Sequence, residues 1–244
     1  SKTKLVFVNH VSNALGIVNP IKHIIKKAHE FNAIVLVDGA QATPHMKIDV
    51  VDLDVDFYVT STHKICGPTG VGILYGKEKW LNKIPPFLGG GEMIDQVTFE
   101  KSTYAGLPNK FEAGTPNISG VIASGIGIDY LNSIGIEEIY KYENELLEYA
   151  TKKLLLIKDL KIYGFSTKKT SVISFNVGNI HPYDIGSILD KFGIATRTGQ
   201  LCAQPIMDYF KIPGTIRVSF SFYNTKEEID EFIKSLHKAI LMLS

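Results

Sequence analysis

Two arginines flank a cysteine in the stretch from Ile194 to Asn224, IATRTGQLCAQPIMDYFKIPGTIRVSFSFYN. Arg197 and Arg217 are the only arginines among 26 basic residues, and Cys202 lies between them. A planar guanidinium grips a carboxylate or phosphate through two parallel hydrogen bonds, whereas lysine supplies only a point charge. The pattern therefore predicts a small-anion site beside a thiol. Position alone leaves open the alternative that both arginines are ordinary surface residues.

Polar residues also follow two apolar strand patterns. VLVDGAQ places Asp38 directly after an apolar run, and DFYVTSTHKICGPTG places Ser61, His63 and Lys64 before a glycine-rich turn. Ligands of open α/β sheets bind at the carboxyl ends of strands. An aspartate there can face a cationic ring nitrogen, and hydroxyl, imidazole and amine groups can hold a phosphate and offer a nucleophile. The alternatives are a turn-capping aspartate and a solvent-exposed lysine.

Pyridoxal phosphate is a cofactor that needs these parts together. It requires a lysine for covalent attachment, an aspartate opposite its ring nitrogen and donors for its phosphate. An amino-acid substrate adds the need for an arginine fork. The matching residues are Lys64, Asp38, Ser61, His63 and Arg217. The ordered set predicts a pyridoxal phosphate site, whereas the seven histidines show no metal-ligand spacing with either cysteine.

The composition limits the classes of partner. The 244 residues are 45% hydrophobic and 21% charged, which is typical of a globular protein. A net charge of +1 gives no electrostatic case for nucleic acid or an anionic membrane. No apolar run reaches the roughly 18 residues of a membrane-spanning helix. Two cysteines, Cys66 and Cys202, do not form a disulfide framework.

The elements that must position these residues fall into two parts. Strand patterns in the first part are LVFV, AIVLVDGAQ, DFYVTS and GVGILYG, with one helix pattern, NPIKHIIKKAHEF. That helix pattern puts Ile21, Ile24, Ile25, Ala28 and Phe31 on one face. This alternation predicts an α/β fold with a mostly parallel sheet.

From about Ser119 the sequence pattern changes to long helical patterns. The strand patterns SVISFNV, IATRTG and TIRVSFSFY follow them. Helix patterns follow at YDIGSILDKFG and NTKEEIDEFIKSLHKAILML, and Thr225 and Glu228 have capping-box spacing. We therefore expect two domains, residues 1–130 and residues 131–244, the second a smaller α+β domain.

As a set, these motifs resemble the class V, fold-type I pyridoxal phosphate enzymes, and among them the SUF-type (group II) cysteine desulfurases. The matching stretches run in family order from residue 5 to the C-terminus: HVSNALG, VLVDGAQ, DFYVTSTHKICGPTGVGILYG, GGGEMI, FEAGTPN, RTGQLCAQP and IRVSFSFYNTKEEID. The resemblance implies that residues 1–130 are the remainder of the cofactor-binding large domain.

The resemblance implies roles for the cofactor-binding residues. Lys64 would carry the cofactor covalently, and Asp38 would pair with its protonated ring nitrogen. Gln41 would hydrogen-bond the phenolic oxygen of the ring. Ser61 and His63 would bind the phosphate.

The resemblance also implies roles for residues at the substrate. Arg217 matches the arginine that grips the substrate carboxylate, with Asn13 assisting at substrate and cofactor. Cys202 matches the nucleophilic cysteine, and Arg197 is assigned to the substrate and thiol neighbourhood. Thr115 would reach the phosphate of the partner subunit's cofactor, which implies a homodimer.

The implied reaction converts L-cysteine into L-alanine and leaves a persulfide on Cys202. The sulfur would pass to a SufE-like acceptor and on to iron–sulfur cluster assembly. Family members of this type occur in the bacterial cytoplasm and in plastid-type organelles, so both compartments stay open.

The sequence departs from the family pattern at three points. Gln200 and Leu201 stand where the family has two histidines, so an imidazole role beside Cys202 is in doubt. Cys66 is interpreted as a core or wall residue. The chain opens directly into a strand pattern, so we expect it to lack the N-terminal part of a family member.

Selenocysteine lyase and a non-catalytic scaffold of the same fold are the alternative functions.

Overall fold

The structure is a computed structural model that describes residues 2–166 and 168–243. The described residues form two compact units. The first contains the chain up to Asn9, Pro20–Pro44 and Ile48–Ser133. The second contains His10–Asn19, His45–Lys47 and the chain from Ile134 onward. Each unit has its own sheet and its own buried apolar cluster.

The first unit contains a mixed, mostly parallel sheet of four strands. Their order is β1 (Leu5–Asn9), β2 (Ile34–Asp38), β3 (Phe57–Ser61) and β4 (Gly72–Gly76). The strands β1, β2 and β3 run parallel to one another, and β4 pairs antiparallel with β3. The predicted α/β fold with these four strands is confirmed.

Helix α1 (Ile21–His29) covers this sheet because its apolar residues recur on one face. Ile21, Ile25 and Ala28 are buried with Val35 and Val37 of β2. The sequence analysis was wrong about Phe31, which lies beyond the end of the helix and is 48% exposed.

Short elements and one long helix complete the first unit. They are α2 (Glu78–Leu81), the antiparallel pair β5 (Ile94–Val97) and β6 (Ser102–Tyr104), and α3 (Ile118–Ile134). Single 3₁₀ turns span Thr62–Lys64 and Asn109–Phe111. The β5–β6 pair was not predicted from the sequence.

The second unit is built on an antiparallel sheet with strand order β7 (Leu160–Tyr163), β8 (Val172–Val177), β10 (Thr215–Ser219) and β9 (Arg197–Gly199). All six residues of β8 are buried. The helices are α4 (Ile136–Leu154), α5 (Pro182–Lys191), α6 (Gln204–Phe210) and α7 (Lys226–Leu243). This arrangement has the predicted α+β character.

The start of α7 confirms the predicted capping box. The Thr225 hydroxyl accepts from the Glu228 backbone N–H at 3.3 Å, and the Glu228 carboxylate accepts from the Thr225 N–H at 3.0 Å. The predicted strand TIRVSFSFY is shorter than expected and ends at Ser219. A turn closed by the Asn224 side chain, which accepts from the Ser221 N–H, replaces its last residues.

The described helices do not include one that is both long enough and apolar enough to span a bilayer.

Candidate active site

Asp38 and Ser61 end two neighbouring parallel strands, β2 and β3. The carboxyl ends of parallel strands meet at one edge of a sheet, so this edge carries both residues. The Asp38 side chain is exposed, and its Oδ1 accepts from the Ala40 backbone N–H at 2.9 Å. That bond fixes the turn after β2, in which Gln41 lies half-buried.

Gly39 is required at this turn because the Tyr58 ring occupies the space of a side chain. A Cβ on Gly39 would lie 2.0 Å from Tyr58 Cε1. Burial raises the pKa of the Tyr58 hydroxyl, and the negative charge of Asp38 raises it further. A hydrogen bond with Thr43 partly opposes this increase in pKa. Tyr58 is therefore a neutral hydrogen-bonding neighbour of the Asp38 turn.

Lys64 lies at the end of the 3₁₀ turn that follows β3, and it is half-buried. Within the same turn, the Ser61 hydroxyl and His63 Nδ1 are 2.8 Å apart. The fully buried Thr62 anchors the turn, because its hydroxyl contacts the carbonyls of Pro68 at 2.8 Å and Val71 at 3.1 Å. The predicted hydroxyl, imidazole and amine thus belong to one short segment that Thr62 anchors.

Two close backbone approaches hold the segment after Lys64. A Cβ on Gly67 would lie 2.9 Å from the Thr62 Cβ. A Cβ on Gly127 of α3 would lie 2.8 Å from the carbonyl carbon of Cys66. Cys66 is an exposed residue, and partial burial raises the pKa of its thiol. The raised pKa favours the protonated thiol. The prediction that Cys66 is a core residue is wrong, because its side chain is exposed, and its interpretation as a wall residue stays a prediction.

Thr115 lies in the loop that precedes α3, and it is exposed. The loop is fixed by Gly114, whose N–H donates to the Gly91 carbonyl at 3.0 Å and whose φ is +77°. The hydroxyl of Thr115 is therefore accessible from outside this unit, as its predicted role toward a partner subunit requires.

In the second unit, Arg197 and Arg217 face each other across the β9–β10 pair. Directly opposed residues of antiparallel strands project from the same face, so two positive charges lie side by side. Burial lowers the pKa of Arg217, and the charge of Arg197 lowers it further. This repulsion is relieved when an anion binds between the guanidinium groups.

The Arg217 guanidinium is bound at one of its nitrogens. Its Nη1 donates to the backbone carbonyl of Asn13 at 2.9 Å and to Asn13 Oδ1 at 2.7 Å. Its Nε is buried and has no hydrogen-bond partner among the described residues. A buried guanidinium N–H without a partner is costly, so this group favours an additional hydrogen-bond acceptor.

Cys202 lies on an exposed turn between β9 and α6. Leu201 and Cys202 both have left-handed backbone angles, with φ of +56° and +57°. The Leu201 side chain is buried with Ala14 and Met207, and its carbonyl accepts from Asn13 Nδ2 at 3.1 Å. In this unit, therefore, Asn13, Arg197, Arg217 and the turn of Cys202 form one neighbourhood.

The sequence analysis missed a buried carboxylate in the second unit. Glu143 of α4 is 3% exposed and lies 2.6 Å from His45 Nδ1, and its oxygens accept from the hydroxyls of Ser171 and Ser221 at 3.2 Å. The helical spacing could have indicated that Glu143 is buried, because Glu143 lies on the same face of α4 as the buried Ile139 and Leu146. This network binds residues 45–47 to the second unit.

Among the described residues, the structure contains no group of three or more histidine, cysteine, aspartate or glutamate side chains that could hold a metal ion.

Comparisons with known proteins agree with the fold. The sequence profile of the family described as "Aminotransferase class-V" matches residues 1–232. The chain is 50% identical over 237 residues to the probable cysteine desulfurase of Halalkalibacterium halodurans, covering 97% of this chain and 58% of that protein. The chain thus spans less than two thirds of that relative's length.

Solved structures show the same fold. The S-sulfonic acid form of the cysteine desulfurase CsdA from Escherichia coli matches with a TM-score of 0.95 and 35% identity, over 99% of this chain and 60% of that one. The apo cysteine desulfurase of Thermococcus onnurineus NA1 matches with a TM-score of 0.94 and 39% identity, over 98% and 60%. These likenesses confirm the predicted fold-type I architecture.

Proposed function

Because the chain belongs to the class-V aminotransferase family, we propose that the complete protein is a cysteine desulfurase that uses pyridoxal phosphate to convert L-cysteine into L-alanine. The observation that carries the proposal is the neighbourhood of Arg217, Asn13 and Cys202, in which the Asn13 amide bonds both the Arg217 guanidinium and the carbonyl of Leu201, the residue before the exposed Cys202 thiol. The names of the relatives support the same reaction.

The residues at the strand ends of the first unit fit the cofactor. Lys64 would attach it, Asp38 would pair with its ring nitrogen, and Gln41 would bond its phenolic oxygen. Ser61 and His63 would hold its phosphate, while the exposed Thr115 would serve the cofactor of a partner subunit in a homodimer. The chemistry of this set supports the fit, since it offers one amine, one carboxylate and neutral hydrogen-bond donors. When bound, pyridoxal phosphate withdraws electrons from the α-carbon of an amino acid.

Lys64 moves the proton in this scheme. Its Nζ would accept the α-proton of L-cysteine and later return a proton to the product. Asp38 would favour a protonated ring nitrogen, because an adjacent negative charge favours the cationic form.

Arg217 would bind the substrate carboxylate through the guanidinium N–H groups that Asn13 does not engage, and Arg197 adds a second positive charge on the same face of the sheet. Fixing the carboxylate orients the rest of the substrate, which converts an encounter into a positioned reaction.

Cys202 is the nucleophile. Its thiolate attacks the sulfur of the substrate, so that an S–S bond forms and the C–S bond breaks. The electron pair of the broken bond stays on the substrate carbon, which takes up a proton to give the methyl group of L-alanine. Cys202 retains the sulfur as a persulfide. A thiolate is required for this attack.

The persulfide sulfur on Cys202 would pass to another protein. Resemblance to the SUF-type enzymes supports transfer from Cys202 to a SufE-like acceptor for iron–sulfur cluster assembly. Cys202 is exposed on its turn, as transfer to another protein requires.

The chain offers a matched pair of cysteines for the test. Cys66 and Cys202 are both exposed, and both have left-handed φ, +60° and +57°. In the full-length protein loaded with pyridoxal phosphate, L-alanine and sulfide are measured with L-cysteine and a thiol reductant. We expect Cys202→Ser to abolish both products and Cys66→Ser to retain them. Product formation that survives in Cys202→Ser, or a wild-type protein that forms neither product, contradicts the proposal.

A further inference from the structure

One side chain joins the anion-binding arginine to the turn of the nucleophile. Asn13 Oδ1 accepts from Arg217 Nη1 at 2.7 Å, while Nδ2 of the same amide donates to the Leu201 carbonyl at 3.1 Å. Leu201 immediately precedes Cys202. The two contacts bridge 204 and 188 positions of sequence, so Asn13 connects segments that are otherwise remote along the chain.

The segment that carries Asn13 is itself fixed to the sheet. Ser174 of β8 is the register partner of Arg217, and its hydroxyl donates to the Ala14 carbonyl. The Ala14 side chain packs with Leu201 in a small buried cluster. The segment that carries Asn13 is therefore fixed to β8 by the bond between Ser174 and Ala14. A shift of the Asn13 amide would consequently also move the Leu201 carbonyl that it contacts.

The turn that receives this contact is strained. Leu201 and Cys202 are consecutive residues with a Cβ, and both have φ in the left-handed region. Each such residue is disfavoured and persists only where its surroundings hold it, and such residues cluster at functional sites. The bond from Asn13 Nδ2 to the Leu201 carbonyl is one of the contacts that hold this pair.

We propose that Asn13 is a positioning residue that couples carboxylate binding at Arg217 to the ordering of the Cys202 turn. The inference rests on the proposed function, because the carboxylate is that of the amino-acid substrate or product. The guanidinium is planar, so a carboxylate bound to it restrains the whole plane, including Nη1. A restrained Nη1 stabilises the bond from Asn13 Nδ2 to the Leu201 carbonyl, so the Cys202 turn opens less often when the carboxylate is bound.

The coupling has a readout that does not depend on turnover. L-Alanine, the product, carries the carboxylate but no sulfur for Cys202 to attack. Its binding to the full-length protein loaded with pyridoxal phosphate is followed by the absorbance of the cofactor. Under the same conditions, amide hydrogen exchange is measured for the peptide that covers residues 200–204. We expect L-alanine to slow exchange there about fivefold, the factor that corresponds to one hydrogen bond of about 1 kcal/mol.

Two variants separate coupling from general stability. In Asn13→Ala, L-alanine should still change the cofactor absorbance, but the slowing at residues 200–204 should vanish, and with L-cysteine kcat should fall as well as KM rise. Gln200→Ala is the matched control, since Gln200 is an exposed neighbour in the same turn. It should keep the full fivefold slowing.

The outcomes are distinct. A wild-type protein whose absorbance responds to L-alanine without slower exchange at residues 200–204 overturns the coupling and leaves the proposed function standing. Slowing that persists in Asn13→Ala also overturns it. Absence of any absorbance response overturns the proposed function and the coupling together.

Discussion

Replacing Arg217 by lysine isolates the geometry of the fork from its charge. Lysine keeps one positive charge on β10, but its single Nζ cannot occupy the positions of both Nη1 and Nε. In the wild type, Nη1 is engaged by two oxygens of Asn13 and Nε is buried without a partner among the described residues. The substitution therefore removes either the contact with Asn13 or one of the hydrogen bonds to the substrate carboxylate.

The magnitude follows from the hydrogen bond that is lost. A hydrogen bond to a charged group contributes about 1.5–3 kcal/mol, and each 1.4 kcal/mol corresponds to about a factor of ten in affinity. We therefore expect Arg217→Lys to raise the KM for L-cysteine about 10- to 100-fold. Steady-state rates of L-alanine formation over a range of L-cysteine concentrations measure this change.

Arg197→Lys is the control for charge on the same face of the sheet. Arg197 is the register partner of Arg217, but its side chain is exposed. An exposed ion pair contributes about 0–1 kcal/mol to an interaction, so Arg197→Lys should change the KM for L-cysteine less than about fivefold. Unchanged kinetics in Arg217→Lys, or equal effects of the two substitutions, would refute the assignment of a carboxylate fork to Arg217.

Three further substitutions test the packing that supports the site. Gly39→Ala should lower the free energy of unfolding by about 1–3 kcal/mol or more in urea titrations, because its Cβ would meet the Tyr58 ring at 2.0 Å; an unchanged midpoint contradicts this packing. Glu143→Gln should lower the free energy of unfolding by about 1–3 kcal/mol, since His45 and two serine hydroxyls lose a charged partner; full stability would show that the network contributes nothing. Burial lowers the pKa of Lys169 from 10.5 to about 8. Between these two pH values the unfolded chain therefore binds more protons than the folded chain. The buried charged amine lowers the free energy of unfolding most below pH 8, and this loss disappears as pH rises towards 10.5. Lys169→Met should accordingly raise the melting temperature at pH 7 and lose this advantage near pH 10.5, whereas a gain independent of pH would point to packing alone.

The sequence predicted the elements with clear apolar patterns. The apolar runs of β1 to β4 and the period of α1 identify the first sheet and its helix, and the Thr225–Glu228 spacing identifies the start of α7. The β5–β6 pair escaped prediction because its strands are short and largely exposed, with no apolar alternation to mark them. Its pairing depends on contacts between segments rather than on local pattern.

The places of several candidate residues at strand ends were predictable from local patterns, but the contacts between distant residues were not. Asp38, Ser61 and Lys64 stand directly after strand patterns, which is a local signal. The bond between Asn13 and Leu201 joins residues 188 positions apart, and the pair Glu143–His45 joins residues 98 positions apart. These contacts explain why residues 10–19 and 45–47 belong to the second unit, which no local pattern indicates.

The attachment of the cofactor to Lys64 is the central claim, and one measurement addresses it directly. The full-length protein is loaded with pyridoxal phosphate, reduced with borohydride, digested and mapped by mass spectrometry. We expect the mass of the reduced cofactor on the peptide that contains Lys64. Recovery of that peptide unmodified, with the cofactor on another lysine or on none, would contradict the claim.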